Sequence, residues 1–150
     1  EPSTIQRGEA STLRWSVDRQ AELAGYTGAF AVDLQQERFA PEIESTCFRI
    51  VQEALTNVAR HADATEVRVE LRQQQSELRL VVRDNGRGFD VNKALSRAAL
   101  GNSMGLLGMQ ERAALVGGQL EVASVAGKGT DIVAWFPLQA VSQHERGIGE

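Results

Sequence analysis

The sequence is poor in the residues on which several classes of protein depend. A single cysteine, Cys47, excludes an internal disulfide framework, and two histidines, His61 and His144, are too few to suggest a histidine-built metal site. No apolar run approaches the ~18 residues that span a membrane, and no segment resembles a signal peptide. A net charge of −4 disfavours non-specific binding to nucleic acid. We therefore expect no nucleic-acid partner and no membrane contact by this domain.

What the sequence does contain is enough apolar material for one packed domain. It has 150 residues, of which 42% are hydrophobic. Its hydrophobic periodicity predicts helices at 11–24, 41–61 and 106–116, strands at 28–34, 66–72, 78–82, 120–122 and 132–136, and an irregular segment at 85–105. This order predicts a two-layer α/β sandwich with a mostly antiparallel sheet. The polar ends, residues 1–10 and 139–150, are expected to be flexible.

The strongest helical pattern, from Pro41 to about His61, carries a polar strip beside its apolar stripe. At 100° per residue the strip holds Glu53, Asn57, Arg60 and His61. The amide oxygen of Asn57 suits magnesium, and the guanidinium of Arg60 suits phosphate oxygens. The strip is therefore a candidate site for a metal-bound phosphate ligand, and a solvated helix flank is the alternative.

The segment Asp84–Phe89 (DNGRGF) begins with an acid that should face inward, because Asp84 continues the parity of the apolar residues before it. An ionised carboxylate there needs a hydrogen-bond donor, since its unpaired burial is costly. It would accept a bond from the exocyclic amine of adenine and repel the carbonyl that guanine has at the same place. Gly86 and Gly88 permit positive φ and close approach of a flat ligand. An ordinary Asp-Asn-Gly turn is the alternative.

Two further glycine-rich segments follow. Gly101–Met109 (GNSMGLLGM) opens a helix whose first amides would attract phosphate, and Gly105 and Gly108 would leave the approach open. It is not the lysine-containing phosphate loop, because no lysine follows these glycines. Gly127–Thr130 (GKGT) leads into the last strand, where Thr130 has the inward parity. A flexible loop and a hairpin turn are the respective alternatives.

In this order the four segments resemble the nucleotide-binding signature of the ATPase family shared by DNA gyrase, heat-shock chaperones, MutL-type repair proteins and histidine kinases. Phe48–Ala62 (FRIVQEALTNVARHA) is similar to the asparagine box of sensor histidine kinases of the NarX/DesK-like subfamily, which partner NarL-type regulators. DNGRGF, GLLGMQER and GKGT resemble the three glycine boxes. The resemblance covers about residues 11–138. It implies a Bergerat-type ATP-binding fold, with a mixed sheet of about five strands and three helices on one face.

At the phosphate end, the resemblance implies a role for each matching residue. Asn57 would hold magnesium between the ATP phosphates, and Glu53 would be a second catalytic residue beside the γ-phosphate. Arg60 and His61 would contact phosphate or ribose oxygens. Residues 90–104 would form a short ATP lid. The backbone of one segment would border the phosphates: Gly105, Leu106, Leu107 and Gly108.

At the base end, the resemblance implies that Asp84 binds the adenine amine. Thr130 would support the adenine through Asp84 or through a bound water. Gly86, Gly88 and Gly129 would shape the pocket around the base. ATP and magnesium are therefore the implied ligands of this domain.

A sensor kinase also needs a phosphoacceptor histidine. In the subfamily an acidic residue and a Gln-x-Leu pattern follow that histidine, and neither His61 nor His144 stands in such a context. The resemblance thus implies a catalytic domain that donates the γ-phosphate to a histidine on a dimerisation domain missing from this chain, and that acts indirectly on a response regulator. Its expected location is the cytoplasm, whether or not the parent protein is membrane-anchored. A serine kinase of the anti-sigma-factor type, an ATP-hydrolysing clamp fragment and a non-catalytic nucleotide-sensing module stay open as alternatives.

Overall fold

The computed structural model describes residues 9–98 and 105–138. In chain order their elements are α1 (Glu9–Ala24), β1 (Thr27–Asp33), α2 (Pro41–Asn57), a π-helical turn (Val58–Ala62), β2 (Glu66–Gln74), β3 (Glu77–Asp84), α3 (Val91–Ala98), α4 (Leu106–Leu115), β4 (Gln119–Val125) and β5 (Gly129–Pro137). Every helix and strand expected from the sequence is present. The expected flexible ends lie outside the described residues, except that Glu9 and Ala10 belong to α1. Within the described ranges, no helix is long and apolar enough to cross a membrane.

Local contacts define the start of α2, the helix that carries the candidate catalytic residues. Pro41 lies in the first turn, where its missing N–H is not needed. The carboxylate of Glu44 accepts a hydrogen bond from the backbone N–H of Phe39 at 2.8 Å and another from the guanidinium of Arg38 at 2.7 Å. These bonds anchor the loop before α2 to its first turn.

The end of the same helix differs from the prediction of a regular helix to about His61. The α-helix ends at Asn57, and the π-helical turn that follows is closed by Asp63 in the left-handed conformation at φ 55°. A π-helix has a wider turn than an α-helix. Arg60 and His61 are therefore rotated about the helix axis, away from the polar strip that they would form with Glu53 in a regular α-helix. Both side chains are exposed.

The five strands form one mixed sheet in the order β1-β2-β3-β5-β4. β1 runs parallel to β2, and the other neighbouring pairs are antiparallel. Inward residues of the strands and one stripe of each long helix meet in a single core, whose largest fully buried side chains include Leu13, Ile50, Leu55, Leu71, Leu78, Leu80, Leu106, Met109 and Phe136. The two-layer α/β sandwich with a mixed, mostly antiparallel sheet is therefore confirmed.

The other face of the sheet carries charged side chains around a buried Val81, which pairs with Val133. Arg83 of β3 and Asp131 of β5 form an ion pair at 3.1 Å, and Arg68 and Glu70 of β2 form another at 2.7 Å. Exposed pairs of this kind contribute little to stability. The helices therefore cover one face of the sheet, and the opposite face carries charged side chains.

The short helix α3 lies in the segment that was expected to be irregular. Asp90 begins it, because its Oδ1 accepts a hydrogen bond from the backbone N–H of Lys93 at 3.0 Å. Ala94 is buried, and Leu95 packs against the core. The sequence contained both signals, since Asp90 precedes a stretch (VNKALSRA) whose apolar residues have the spacing of a helix, so the prediction of an irregular segment was wrong here. Residues 99–104 of the expected ATP lid lie outside the described residues.

Candidate functional site

Three polar residues from neighbouring strands lie side by side on the helix-facing side of the sheet. Asp84 of β3 pairs with Thr130 of β5, and Thr130 pairs in turn with Ser124 of β4. Each has the inward parity of its strand, so the row continues a layer that is otherwise apolar. We call Asp84, Thr130 and Ser124 the polar row. The structure thus brings together the first and third glycine segments, which are far apart in sequence.

The carboxylate of Asp84 is half-buried and held by backbone donors. The N–H of Gly86 donates to its Oδ1 at 2.8 Å, and the backbone of Thr130 also donates to it. Burial raises the pKa of Asp84 above its ordinary value, the nearby charge of Asp131 raises it further, and the two backbone bonds act in the opposite direction. A partly desolvated acceptor of this kind gains stability from a ligand that donates a hydrogen bond.

Ser124 is the member of the polar row that the sequence analysis missed. Its Oγ lies 2.9 Å from the backbone nitrogen of Phe89, 3.0 Å from the carbonyl oxygen of Gly129 and 2.8 Å from Oγ1 of Thr130. These contacts tie the loop after Asp84 to the start of β5. The inward parity of Ser124 within β4 was the signal that could have found it.

Two glycines allow the backbone to close around the polar row. Gly88 has φ 65°, and a β-carbon there would lie 2.2 Å from the carbonyl oxygen of Val125. Gly129 has φ 91°, and a β-carbon there would lie 2.1 Å from the carbonyl oxygen of Asp84. Since no side chain fits at either position, the glycines are required by backbone approach as well as by conformation.

Arg87 connects the first glycine segment to the end of the long helix. Its Nε donates a hydrogen bond to the backbone carbonyl of His61, and its own carbonyl accepts one from the N–H of Gly127. His61 therefore contributes a backbone oxygen to this connection, while its ring and the side chain of Arg60 are exposed. The predicted contacts of these two side chains with phosphate or ribose stay predictions.

At the other end of the site, Glu53 of α2 lies against the residue that precedes α4. Gly105 occupies that position at φ 74°, and a β-carbon on it would lie 2.5 Å from Oε2 of Glu53. Glu53 and Asn57, one helical turn apart, are both half-buried. The first amides of a helix attract anions, so the start of α4 is suited to phosphate.

The two leucines of the second glycine segment have different surroundings. The side chain of Leu106 is buried in the core, whereas Leu107 is 41% exposed. A β-carbon on Gly108 would meet only Nη1 of Arg112, at an ordinary 3.6 Å. Gly105 is therefore the position in this segment at which packing requires glycine, and the leucines would serve a phosphate through their backbone.

A cleft of about 480 Å³ opens between α2 and α4 on the side of Glu53. Its lining includes Phe48, Arg49, Glu53, Thr56 and Arg112. Two guanidinium groups and one carboxylate therefore face a space adjacent to the start of α4, an arrangement suited to an anionic group that arrives from outside.

The metal-ligating side chains on α2 fit a magnesium ion that is bound together with a nucleotide better than they fit a metal ion held by the protein alone. Among the described residues, no group of three or more His, Cys, Asp or Glu side chains could hold a metal ion. Asn57 and Glu53 nevertheless supply oxygen donors, which magnesium accepts together with water and phosphate oxygens. The residues present therefore fit a magnesium ion whose remaining ligands come from phosphate.

Comparisons with known proteins show the family to which this chain belongs. Residues 42–140 match the family described as histidine kinase-, DNA gyrase B-, and HSP90-like ATPase. The sensor histidine kinase LiaS of Bacillus subtilis (strain 168) is 45% identical over 106 residues, which are 71% of this chain and 28% of LiaS. An uncharacterized sensor-like histidine kinase of Chloroflexus aurantiacus is 36% identical over 137 residues, which are 89% of this chain and 23% of that protein. The chain thus spans about a quarter of the length of these relatives.

A solved structure has the same fold. It is the histidine kinase domain from the blue-light activated histidine kinase EL346 of Erythrobacter litoralis, with a TM-score of 0.69 and 21% identity. The likeness covers 95% of this chain and 65% of that chain. The polar row, the glycine contacts and the family match lead to one conclusion. This chain belongs to the histidine kinase-, DNA gyrase B-, and HSP90-like ATPase family, and its membership implies that it binds ATP.

Proposed function

We propose that this chain is the ATP-binding catalytic domain of a sensor histidine kinase. It binds Mg-ATP and donates the γ-phosphoryl group to a histidine on a separate dimerisation domain, in signalling that ends on a response regulator. The proposal includes a cytoplasmic location, because the reaction consumes ATP. The observation that carries it is the pairing of Asp84 with Thr130, closed in by Gly88 and Gly129. The relatives named above are sensor histidine kinases, which favours histidine as the acceptor.

At the base end, Asp84 accepts a hydrogen bond from the adenine amine. Its desolvated carboxylate has one oxygen engaged by the N–H of Gly86, and an ionised carboxylate has further acceptor sites. Thr130 lies beside it on the neighbouring strand. Gly88 and Gly129 hold the surrounding backbone close, so that a flat base contacts peptide groups rather than side chains.

At the phosphate end, the first amides of α4 receive phosphate oxygens, and the glycine at position 105 leaves room there for the Glu53 carboxylate. Asn57, with Glu53 one turn before it, would hold magnesium, which when bound neutralises the charge of the phosphates. Arg60 and His61 are proposed to contact phosphate or ribose oxygens from the π-helical turn.

The reaction itself is a phosphoryl transfer. A nitrogen of the acceptor imidazole forms a bond to the γ-phosphorus, the bond from that phosphorus to the bridging oxygen breaks, and ADP leaves. Glu53 can orient the imidazole or take up its proton, because its carboxylate lies at the start of α4 beside the cleft between the two helices. Such catalysis depends mainly on positioning and on charge neutralisation.

The test is to mix this domain with γ-labelled ATP and a separately prepared acceptor domain. We expect a phosphoprotein that loses its label in acid and keeps it in alkali, as phosphohistidine does. Glu53→Gln should keep ATP binding and lower the transfer rate by about a hundredfold or more, since it removes a positioned general base. Glu111→Gln is the matched control, because it makes the same substitution at an exposed position on α4. It should transfer phosphate at the rate of the unaltered domain.

Other outcomes would contradict this proposal in distinct ways. An acid-stable product would indicate phosphoserine and favour a serine kinase of the anti-sigma-factor type. Hydrolysis of ATP without transfer to any acceptor domain would favour the clamp alternative. A nucleotide-sensing module would be favoured if neither the unaltered domain nor Asn57→Ala transferred phosphate and if ATP binding depended on magnesium equally in both.

A further inference from the structure

The hydroxyl group of Ser124 has three polar neighbours but only one proton. The backbone N–H of Phe89, at 2.9 Å, can only donate to Oγ, and the carbonyl oxygen of Gly129, at 3.0 Å, can only accept from it. The third neighbour is Oγ1 of Thr130 at 2.8 Å. Since the proton of Ser124 is directed to Gly129, the hydrogen in this third contact comes from Thr130. No other allocation places a hydrogen in all three contacts.

This allocation determines what Thr130 presents to a ligand. Its hydroxyl proton is directed to Ser124, so its oxygen offers lone pairs and no donor. Asp84, its partner in the ladder, also accepts without donating when it is ionised. The two neighbouring groups therefore form an acceptor-only pair at the end of the core.

We propose that Ser124 is a specificity-determining residue that acts through Thr130. By holding the Thr130 hydroxyl as an acceptor, it makes the site select a purine with an amino group at position 6 over one with a carbonyl group there. The inference rests on the proposed function, since it takes Asp84 as the contact of the base. A carbonyl oxygen opposed to two acceptors is left unpaired, and burying it so is costly.

A bound water between the base and the row leads to the same selection. Such a water donates its two hydrogens to Asp84 and Thr130. It can then accept a hydrogen bond from an amine but has no hydrogen to donate to a carbonyl. Without the oxygen of Ser124, the proton of Thr130 is free to turn toward the ligand or the water. A carbonyl at position 6 then finds a donor.

The experiment compares ATP with inosine triphosphate, which carries a carbonyl at position 6. Titration calorimetry on the full chain gives the ratio of the two dissociation constants. We expect the unaltered chain to prefer ATP and Ser124→Ala to reduce this preference by about tenfold or more. Ser124→Thr keeps the hydroxyl and should keep the preference. Thr130→Val removes the acceptor and should reduce the preference, and adding Ser124→Ala to it should have no further effect.

Each contrary result has a separate meaning. If Ser124→Ala weakens ATP and inosine triphosphate equally, the residue is only a structural anchor for Phe89, and the inference is wrong. Should Ser124→Ala fail to fold by circular dichroism, Thr130→Val still decides, because an unchanged preference there also overturns the inference. An unaltered chain that does not bind ATP would instead contradict the proposed function itself.

Discussion

Glu53 and Gly105 are in direct contact where α2 meets the start of α4. A β-carbon on Gly105 would lie 2.5 Å from Oε2, 2.6 Å from Cδ and 2.8 Å from Cγ of Glu53. Gly105 also has φ 74°, a conformation that a residue with a side chain adopts only with strain. The position of a candidate catalytic carboxylate is therefore set partly by a glycine from a different sequence motif.

Replacing Gly105 should damage the site, whereas replacing Gly108, which lies within α4, should not. Gly105→Ala adds strain of about 1 kcal/mol and pushes the Glu53 carboxylate aside, so we expect a lower melting temperature and clearly weaker ATP binding. Gly108→Ala is the matched control, because its new β-carbon meets only the end of Arg112. It should stabilise α4 by about 0.5–1 kcal/mol. Equal melting temperatures for the two variants would contradict this reasoning.

A second set of glycine variants separates conformational strain from backbone contact. At Gly88 and Gly129 a β-carbon would strike a backbone carbonyl oxygen, which cannot move aside, so alanine there should cost about 3 kcal/mol or more of unfolding free energy. Gly127 also has positive φ, at 84°, but nothing lies within 4 Å of its β-carbon position. Gly127→Ala should therefore cost only about 1 kcal/mol. Urea denaturation measures all three, and similar losses would mean that the close approach is not what requires glycine.

Asp84→Asn should weaken ATP binding and yet stabilise the domain without ligand. The folded-state pKa of Asp84 is raised, so the native state favours the protonated acid and its ionisation costs stability at neutral pH. Asparagine removes this cost, so the variant should melt higher than the unaltered domain at pH 7. The gain should shrink as the pH falls toward the ordinary aspartate value of 3.8 and vanish below it. ATP binding should weaken by about 1–3 kcal/mol, because an amide nitrogen can replace the acceptor oxygen.

Asp131→Asn is the control for that variant. Asp131 lies on the outer side of β5 in an ion pair with Arg83, and its charge raises the pKa of Asp84. Neutralising it should leave ATP affinity close to that of the unaltered domain. A loss of affinity as large as that of Asp84→Asn would show that charge in the neighbourhood, and not hydrogen bonding to the base, governs binding.

Tyr26→Phe should stabilise the domain, and increasingly so in alkali. The Tyr26 hydroxyl is buried and has no hydrogen-bond partner among the described residues, so its removal should gain about 1 kcal/mol. Burial raises the pKa of Tyr26 to about 12 from an ordinary 10.0. The unaltered domain therefore loses stability as the pH rises from about 10 through 12, and the variant lacks this loss. Because the chain has one tyrosine, its phenolate absorbance reports this titration alone, and a titration at the ordinary value would contradict the prediction.

Much of the fold could be predicted because its signals are local. The alternation along β2 and β3 and the helical period of α2 are each contained within a few residues, and both predicted the right element and the right buried face. The inward direction of Asp84 and Thr130 followed from the same parity. Their adjacency did not, because it depends on β5 lying next to β3, which no short stretch of sequence encodes.

The features that escaped prediction depend on distant partners. The parity of β4 indicates that Ser124 faces inward, but its hydrogen-bond partners Phe89, Gly129 and Thr130 are known only once the strands are paired. The π-helical turn receives a hydrogen bond on the His61 carbonyl from Arg87, a residue two strands later in the chain. The helical strip predicted a phosphate site that includes Glu53, but only the packing of α4 brings this residue against Gly105.

The polar row has a consequence for how the sheet must align. A slip of β5 by one residue would turn Val133 and Trp135 inward, and these could fill the core in place of the present apolar residues. The same slip would turn Asp131 inward beside Asp84, and two half-buried carboxylates side by side repel each other. Asp84, the proposed contact of the base, therefore also penalises this slipped arrangement of the sheet, so that a domain able to bind nucleotide is one whose strands are correctly aligned.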